Sequence, residues 1–320
     1  MKKPVAVALA AVFIFCGCQK KSTERSDFFA MDTFCTVVSD SSTEQIEKVI
    51  NTCSYNLDAY SGKLYSFNEN TLTKNEYIYD ITGKTFDLND EFGDSVDITS
   101  GALTVLWGIS SDSPAVPEKT DISLALDTIG REKIVLENST VKKPLSTKLD
   151  FGAVAKGYAC DLVYSECEKS TADYAIVSLG SSSLLYGKKQ DGSDFRIEIK
   201  NPDGDAPLGM ITTSECFVST SGGYERFFEA DGKKYCHILD TKTGYPTESD
   251  LVSVTVICYG ENGGIKSDFL ATDIFLGGTK NLKKHLARDD YKIVAADKNK
   301  KLYVSSGLDF EINRNSGYSL

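Results

Sequence analysis

The second half of the chain is a series of short β-rich runs whose connections are too brief for a regular set of crossover helices. Residues 174–179, 195–200, 216–220, 224–229 and 235–239 follow one another in this way, and 252–258 is a strongly β-branched strand. Parallel neighbours need a crossover of a dozen or more residues, usually helical, whereas antiparallel strands join through short turns. The runs predict an α+β fold: a single mixed domain with largely antiparallel sheets and packed helices. A helix is expected over 43–57, where Ile46, Val49, Ile50, Cys53 and Leu57 form one stripe behind a Ser42–Gln45 capping box. Others are expected over 153–167, 265–276 and 282–287. Residues 28–38 read as a strand, 291–296 and 302–304 as closing strands, and the two prolines in 112–119 mark a surface loop.

The N-terminus does not belong to that fold. Lys2 and Lys3 precede an apolar stretch from Val5 to Phe15. That stretch is too short for a membrane-spanning helix and suits the core of a signal peptide. It ends at Phe15-Cys16-Gly17-Cys18. A small residue directly before a cysteine is what a bacterial lipoprotein peptidase meets, so Cys18 is the expected lipidated residue. Cys16, behind bulky Phe15, fits less well, and a plain secretory signal is the alternative. Residues 1–17 are thus expected to be a signal peptide, 18–27 a polar tether and 28–320 the folded domain. The expected location is the periplasmic side of the bacterial inner membrane, lipid-anchored.

Acidic residues outnumber basic ones, 46 to 35, for a net charge of -11. Binding to a phosphate backbone needs the opposite balance, so nucleic acid is not an expected partner. The chain has only two histidines, His237 and His285, which excludes a multi-histidine zinc centre. His285 stands on a polar helix and is expected at the surface. Seven cysteines follow Cys18, none spaced as CxxC and most in apolar stretches. They read as small buried hydrophobes, and no disulfide is assigned.

Four segments carry candidate chemistry. Asp150-Phe-Gly-Ala-Val-Ala-Lys-Gly-Tyr-Ala-Cys-Asp161 opens a helix on small residues, with Lys156 one turn in. Free N–H groups there favour an anion, though a close-packed helix–strand junction gives the same pattern. Ser219-Thr-Ser-Gly-Gly-Tyr-Glu-Arg226 is a hydroxyl- and glycine-rich turn. His237-Ile-Leu-Asp-Thr-Lys-Thr-Gly-Tyr-Pro246 places His237 at the mouth of a turn, as a structural or a catalytic imidazole. In Ser267-Asp-Phe-Leu-Ala-Thr-Asp273, Asp268 and Thr272 are four apart and share a helix face. That pair either caps and packs the helix or offers hard oxygens to Mg²⁺, which takes an incomplete protein shell.

Together these segments resemble one family, the FAD:protein FMN transferases of the ApbE lipoprotein type. Ala30-Met-Asp-Thr33 resembles its AMGT-like strand, and Ser95-Val-Asp-Ile-Thr99 stands before Leu106 and Trp107 as its second motif does. The four segments above follow in the family's order, and the match runs over about 28–305. The resemblance implies a Mg²⁺-dependent enzyme that moves FMN from FAD onto a threonine hydroxyl of a partner protein and releases AMP. By position it implies Mg²⁺ on the side chains of Asp268 and Thr272 and on the carbonyl of Ala153. It places Met31, Ser95, Val96, Asp97 and Lys156 along the FAD site. It makes Asp268 and His237 the catalytic candidates, His237 as acid/base group or as phosphate partner. The acceptors it implies are exported flavin-carrying subunits of respiratory redox pumps.

Departures from the family pattern are Asp32 in place of glycine, Gly223 where aspartate is frequent, and Thr241 in place of proline. In Tyr65-Ser-Phe-Asn-Glu-Asn70, Asn68 takes the position expected for an aromatic that stacks on the flavin. An asparagine cannot stack so, and hydrolysis of FAD to FMN and AMP is expected as a side or main activity. The alternatives are a dedicated Mg²⁺-dependent FAD pyrophosphatase and a non-catalytic FAD-binding lipoprotein.

Overall fold

The computed structural model describes residues 22–320. The signal peptide, Cys16, Cys18 and the start of the tether lie outside the described residues. Eight strands form the main sheet: β1 (Glu24–Ala30), β2 (Thr33–Ser39), β3 (Tyr174–Leu179), β4 (Ser182–Gly187), β5 (Cys216–Gly222), β6 (Leu251–Cys258), β7 (Tyr291–Asp297) and β8 (Leu302–Val304). Their order across the sheet is their order along the chain, and every neighbouring pair is antiparallel. The α+β expectation describes this architecture. β1 starts at Glu24, inside the expected tether, and residues 28–38 are two strands rather than one. They meet at Met31 and Asp32, both at positive φ (52° and 55°). Such turns match the right-handed twist of a hairpin.

Helices α1 (Thr43–Leu57), α2 (Ala155–Lys169) and α3 (Gly263–His285) cover one face of the sheet. Val37, Ile50, Val177, Leu184, Val254, Val256 and Phe269 belong to the core between them. On the other face Phe195, Ile211, Val218, Ile257 and Val294 form a second core. A three-stranded sheet of Phe195–Ile199, Gly209–Thr213 and Phe310–Ile312 contributes to it. β6 is buried on both faces, which explains why it reads as an almost unbroken apolar run. A third cluster surrounds Trp107, whose indole N–H donates to the Gly244 carbonyl at 2.8 Å.

The helices differ from expectation in their ends. α1 has the expected bounds, but Ser42 makes no side-chain cap. The backbone N–H of Thr43 donates instead to Glu24 Oε2 at 3.2 Å, so a β1 side chain supplies the acceptor. The helices expected over 265–276 and 282–287 form one element broken at Gly278 (φ 63°, ψ -165°). α2 and α3 meet with their backbones in contact: a Cβ on Gly157 would lie 2.1 Å from the Gly264 oxygen. Asp161 of α2 caps α3, accepting from the N–H groups of Gly264 and Ile265, each at 2.8 Å.

His285 is not at the surface. It is buried: Nε2 pairs with Asp273 at 3.1 Å and Nδ1 lies 2.6 Å from the Tyr291 hydroxyl. The seven described cysteines are buried thiols. Among the described residues no helix is long and apolar enough to cross a membrane.

Candidate active site

A cleft of about 680 Å³ opens where the β1–β2 turn, the end of β5 and the facing sides of α2 and α3 converge. Met31, Ser95, Val96, Asp97, Ala153, Lys156, His237, Asp268 and Thr272 all line it. Every residue proposed from sequence is therefore brought together, with one exception.

That exception is Asn68. Its amide donates to the Leu149 carbonyl at 2.8 Å and accepts from the Leu149 N–H at 2.8 Å. It is buried at 6% exposure and is absent from the cleft wall. Asn68 acts as a backbone surrogate that fixes the chain just ahead of Asp150. It cannot be the stacking position, so the hydrolase expectation drawn from it loses its physical basis.

The exposed aromatic face of the cleft belongs to Tyr60. Asp58 follows α1 and accepts from the N–H groups of Tyr60 (2.7 Å) and Ser61 (3.2 Å), turning the chain so that Tyr60 reaches the cleft. Burial, then Asp150 and Asp32 nearby, raise its hydroxyl above the ordinary tyrosine range. The sequence signal was there: an aspartate directly after the last apolar residue of α1, then an aromatic two positions on. Lys200, which also lines the cleft, had no such signal.

Asp268 is 3% exposed and accepts from the Gly157 N–H at 2.9 Å and the Ser182 hydroxyl at 3.2 Å. Thr272, one turn on, lies 3.1 Å from the Ser221 hydroxyl. The Gly157 N–H would ordinarily bond the carbonyl four residues back, at Ala153. Its partner here is Asp268, and among the described residues no backbone N–H reaches the Ala153 carbonyl. Among the described residues no lysine, arginine or histidine forms an ion pair with Asp268 either. A buried carboxylate without a cation is costly, and the carbonyl of half-buried Ala153 is left open to the cleft. Carboxylate, hydroxyl and carbonyl are hard donors too few to enclose an ion, which fits Mg²⁺ completed by water and phosphate oxygens. Among the described residues no three His, Cys, Asp or Glu side chains cluster as metal ligands.

Charge in the cleft is lopsided. Asp32, Asp58, Asp97, Asp150, Glu225 and Asp268 face Lys156, Lys200 and Arg226. Such a lining repels a bare polyphosphate and favours one that arrives with a cation. Arg226 bridges the mouth, donating to the Asp32 carbonyl at 2.7 Å and the Ser110 hydroxyl at 3.3 Å. The Asp32 bond also pins the positive-φ turn, as does the Met31 N–H bond to Ser54 at 3.1 Å.

His237 sits beside Arg226. Its Nδ1 lies 3.2 Å from the Arg226 carbonyl. A carbonyl only accepts, so Nδ1 carries the proton and Nε2 of the neutral ring holds a lone pair. Burial pushes the imidazole down to about 4, with Lys156 and Arg226 adding to the fall and the carbonyl bond opposing it. The ring is a proton acceptor at neutral pH.

Residues 31–295 match the ApbE family. The chain belongs to the ApbE family. Among its relatives, a FAD:protein FMN transferase of Klebsiella pneumoniae (strain 342) is 34% identical over 212 residues, covering 64% of each chain. One from Vibrio cholerae serotype O1 is 27% identical over 293 residues, 85% of this chain and 87% of the relative. The ApbE crystal structure from Thermotoga maritima gives a TM-score of 0.79 at 25% identity, covering 89% of this chain and 97% of that one. The flavin transferase ApbE from Vibrio cholerae gives 0.75 at 23% identity, covering 89% and 98%, and shows the shared ApbE fold.

Proposed function

We propose that this chain is a Mg²⁺-dependent FAD:protein FMN transferase, moving FMN from FAD to a threonine hydroxyl of a protein acceptor and releasing AMP. Its relatives bear the name of that transferase. One observation carries the proposal: the Asp268 carboxylate, without a cationic partner, and the Ala153 carbonyl, without a backbone N–H, share a cleft with Lys156 and His237 among the described residues. Asp268, Thr272 and the Ala153 carbonyl would hold Mg²⁺. When bound, the ion supplies charge neutralisation at the pyrophosphate and at the departing phosphate oxygen. Lys156, in the first turn of α2, would place an ammonium toward the same phosphates. The half-exposed Tyr60 ring offers a stacking face for the flavin. His237 Nε2 accepts the proton of the acceptor threonine as its oxygen bonds the FMN phosphorus. The bond between the two phosphates breaks, and AMP leaves with the electron pair.

Residues 1–18 support a further part of the proposal: lipid anchoring through Cys18 on the periplasmic side of the inner membrane. Exported subunits of respiratory redox pumps are the acceptors the family resemblance favours. The test is release of AMP and FMN from FAD by the purified protein, with Mg²⁺ or EDTA, with and without a threonine-bearing acceptor. Acceptor-dependent flavin attachment and AMP release, both lost in EDTA and in Asp268→Ala, are expected. Equal AMP release without any acceptor would make the protein a pyrophosphatase. FAD binding with no AMP under any condition would make it a carrier.

A further inference from the structure

The wall formed by Ser95, Val96 and Asp97 contains neither helix nor strand. Its position therefore depends on individual bonds. Asn89 holds the Val96 carbonyl at 2.9 Å, and the Asp150 N–H holds the Ile98 carbonyl at 2.8 Å. Asp97 accepts from the Thr99 N–H at 2.8 Å and from its hydroxyl at 2.6 Å, and the bond that reaches α3 runs from the Ser95 hydroxyl to Asp273 Oδ1. Asp273 is 3% exposed, and its other oxygen accepts from Asn281 at 3.0 Å and from His285 Nε2 at 3.1 Å. His285 in turn meets the fully buried Tyr291 hydroxyl.

We infer that Asp273 is a positioning residue for the flavin nucleotide, holding the Ser95–Asp97 wall at a fixed distance from α3. The inference rests on FAD occupying this cleft. Thr272 and Asp273 are consecutive, so one helical turn sets both the hydroxyl at the proposed ion and the anchor of the nucleotide wall. A buried carboxylate contributes less to stability than an apolar side chain of similar volume would. What Asp273 contributes is geometry: its chain of bonds begins on a core tyrosine and ends on a side chain that lines the cleft. The transfer chemistry itself does not need it.

The experiment uses the full-length protein with Ser95→Ala, Asp273→Ala and the double variant. FAD affinity is read from flavin fluorescence, alongside KM and kcat for acceptor flavinylation. Each single change is expected to raise Kd and KM for FAD roughly tenfold, as loss of a hydrogen bond to a charged group does, with kcat at saturation little changed. The double variant is expected to be no weaker than the weaker single one, because both remove the same link. Ser95→Ala leaves the buried pair intact, so it reports even if Asp273→Ala fails to fold. Parent-like affinity in Ser95→Ala, a fall in kcat at unchanged KM, or effects that multiply would each overturn the inference. A parent that binds FAD but releases no AMP would overturn only the transferase proposal, since the affinity series is still readable. A parent that does not bind FAD overturns both.

Discussion

Gly157→Ala and Gly83→Ala make the same chemical change on two helices and should move stability in opposite directions. At Gly157 the new methyl would lie 2.1 Å from the Gly264 oxygen and 2.7 Å from Asp268 Cβ. The first is backbone of a packed helix and cannot swing away, so α2 and α3 must part. Overpacking of this kind costs about 1–3 kcal/mol. Separation also stretches the Gly157 N–H bond to Asp268, about 1.5–3 kcal/mol for a bond to a charged group. Alanine's better helix propensity returns about 1 kcal/mol. The net expectation is a loss of about 3 kcal/mol, or a fall of roughly 4–5 °C in Tm for a chain of 320 residues. At Gly83, in the helix Glu76–Phe92, the methyl would meet only Leu136 Cδ1 at 3.9 Å. There only the propensity gain applies, about 0.5–1 kcal/mol of added stability. Urea unfolding and thermal melts of both variants decide the matter. A Gly157→Ala protein as stable as the parent, or a Gly83→Ala protein as damaged as Gly157→Ala, would refute the steric reasoning.

Asn68→Tyr is expected to destabilise the fold by about 2–4 kcal/mol, because the Leu149 backbone groups lose their partner and a larger ring enters a buried site. A urea midpoint equal to the parent's, or tighter FAD binding, would contradict that. Tyr60→Ala should weaken FAD roughly tenfold, an aromatic stacking contact being about 1–3 kcal/mol, while leaving Tm within a degree or two; a fluorescence titration that does not shift rules the ring out. With His237 held down to about 4 from an ordinary 6.5, kcat/KM is expected to stay level from about pH 7 to about pH 5. An acid limb centred on the ordinary histidine value would show the ring to be unperturbed. The same depression means His237 contributes stability above pH 6.5 that is lost as the pH falls through about 4.

What could be read from the sequence was whatever lay in local periodicity. The α1 stripe gave its bounds, and the short strand connections gave the antiparallel order. The helix Glu76–Phe92 was missed because its buried face mixes Ile78, Ile81 and Leu88 with Thr82, Thr85 and Asn89. A count of apolar residues passes over such a stripe, although threonine can bond its own helix, as Thr82 does to the Ile78 carbonyl at 2.6 Å. β4 was missed for a related reason, opening as it does on serines. In the cleft the motif residues were legible because each stands in a distinctive run. Asn68 and His285 were misjudged because their partners are distant in the sequence or beyond a helix end: Leu149 for one, Asp273 and Tyr291 for the other. Polar neighbours made His285 look exposed, and nothing local showed that α3, past its break at Gly278, turns that ring inward.

The sequential order of the sheet conceals one long wait. β2 ends at Ser39 and its next neighbour, β3, begins only at Tyr174. On a chain that emerges from its N-terminus, the first hairpin stands without its partner until residues 40–173 have followed. Closing so long a loop costs on the order of 4 kcal/mol in chain entropy before any contact between the two strands compensates it. The hairpin that carries Met31 and Asp32 is therefore formed first and docked late, and the cleft closes only once α3, with Asp268 and Thr272, has followed. Until then the edge of β2 that will receive β3 is open to pairing with another copy of the chain.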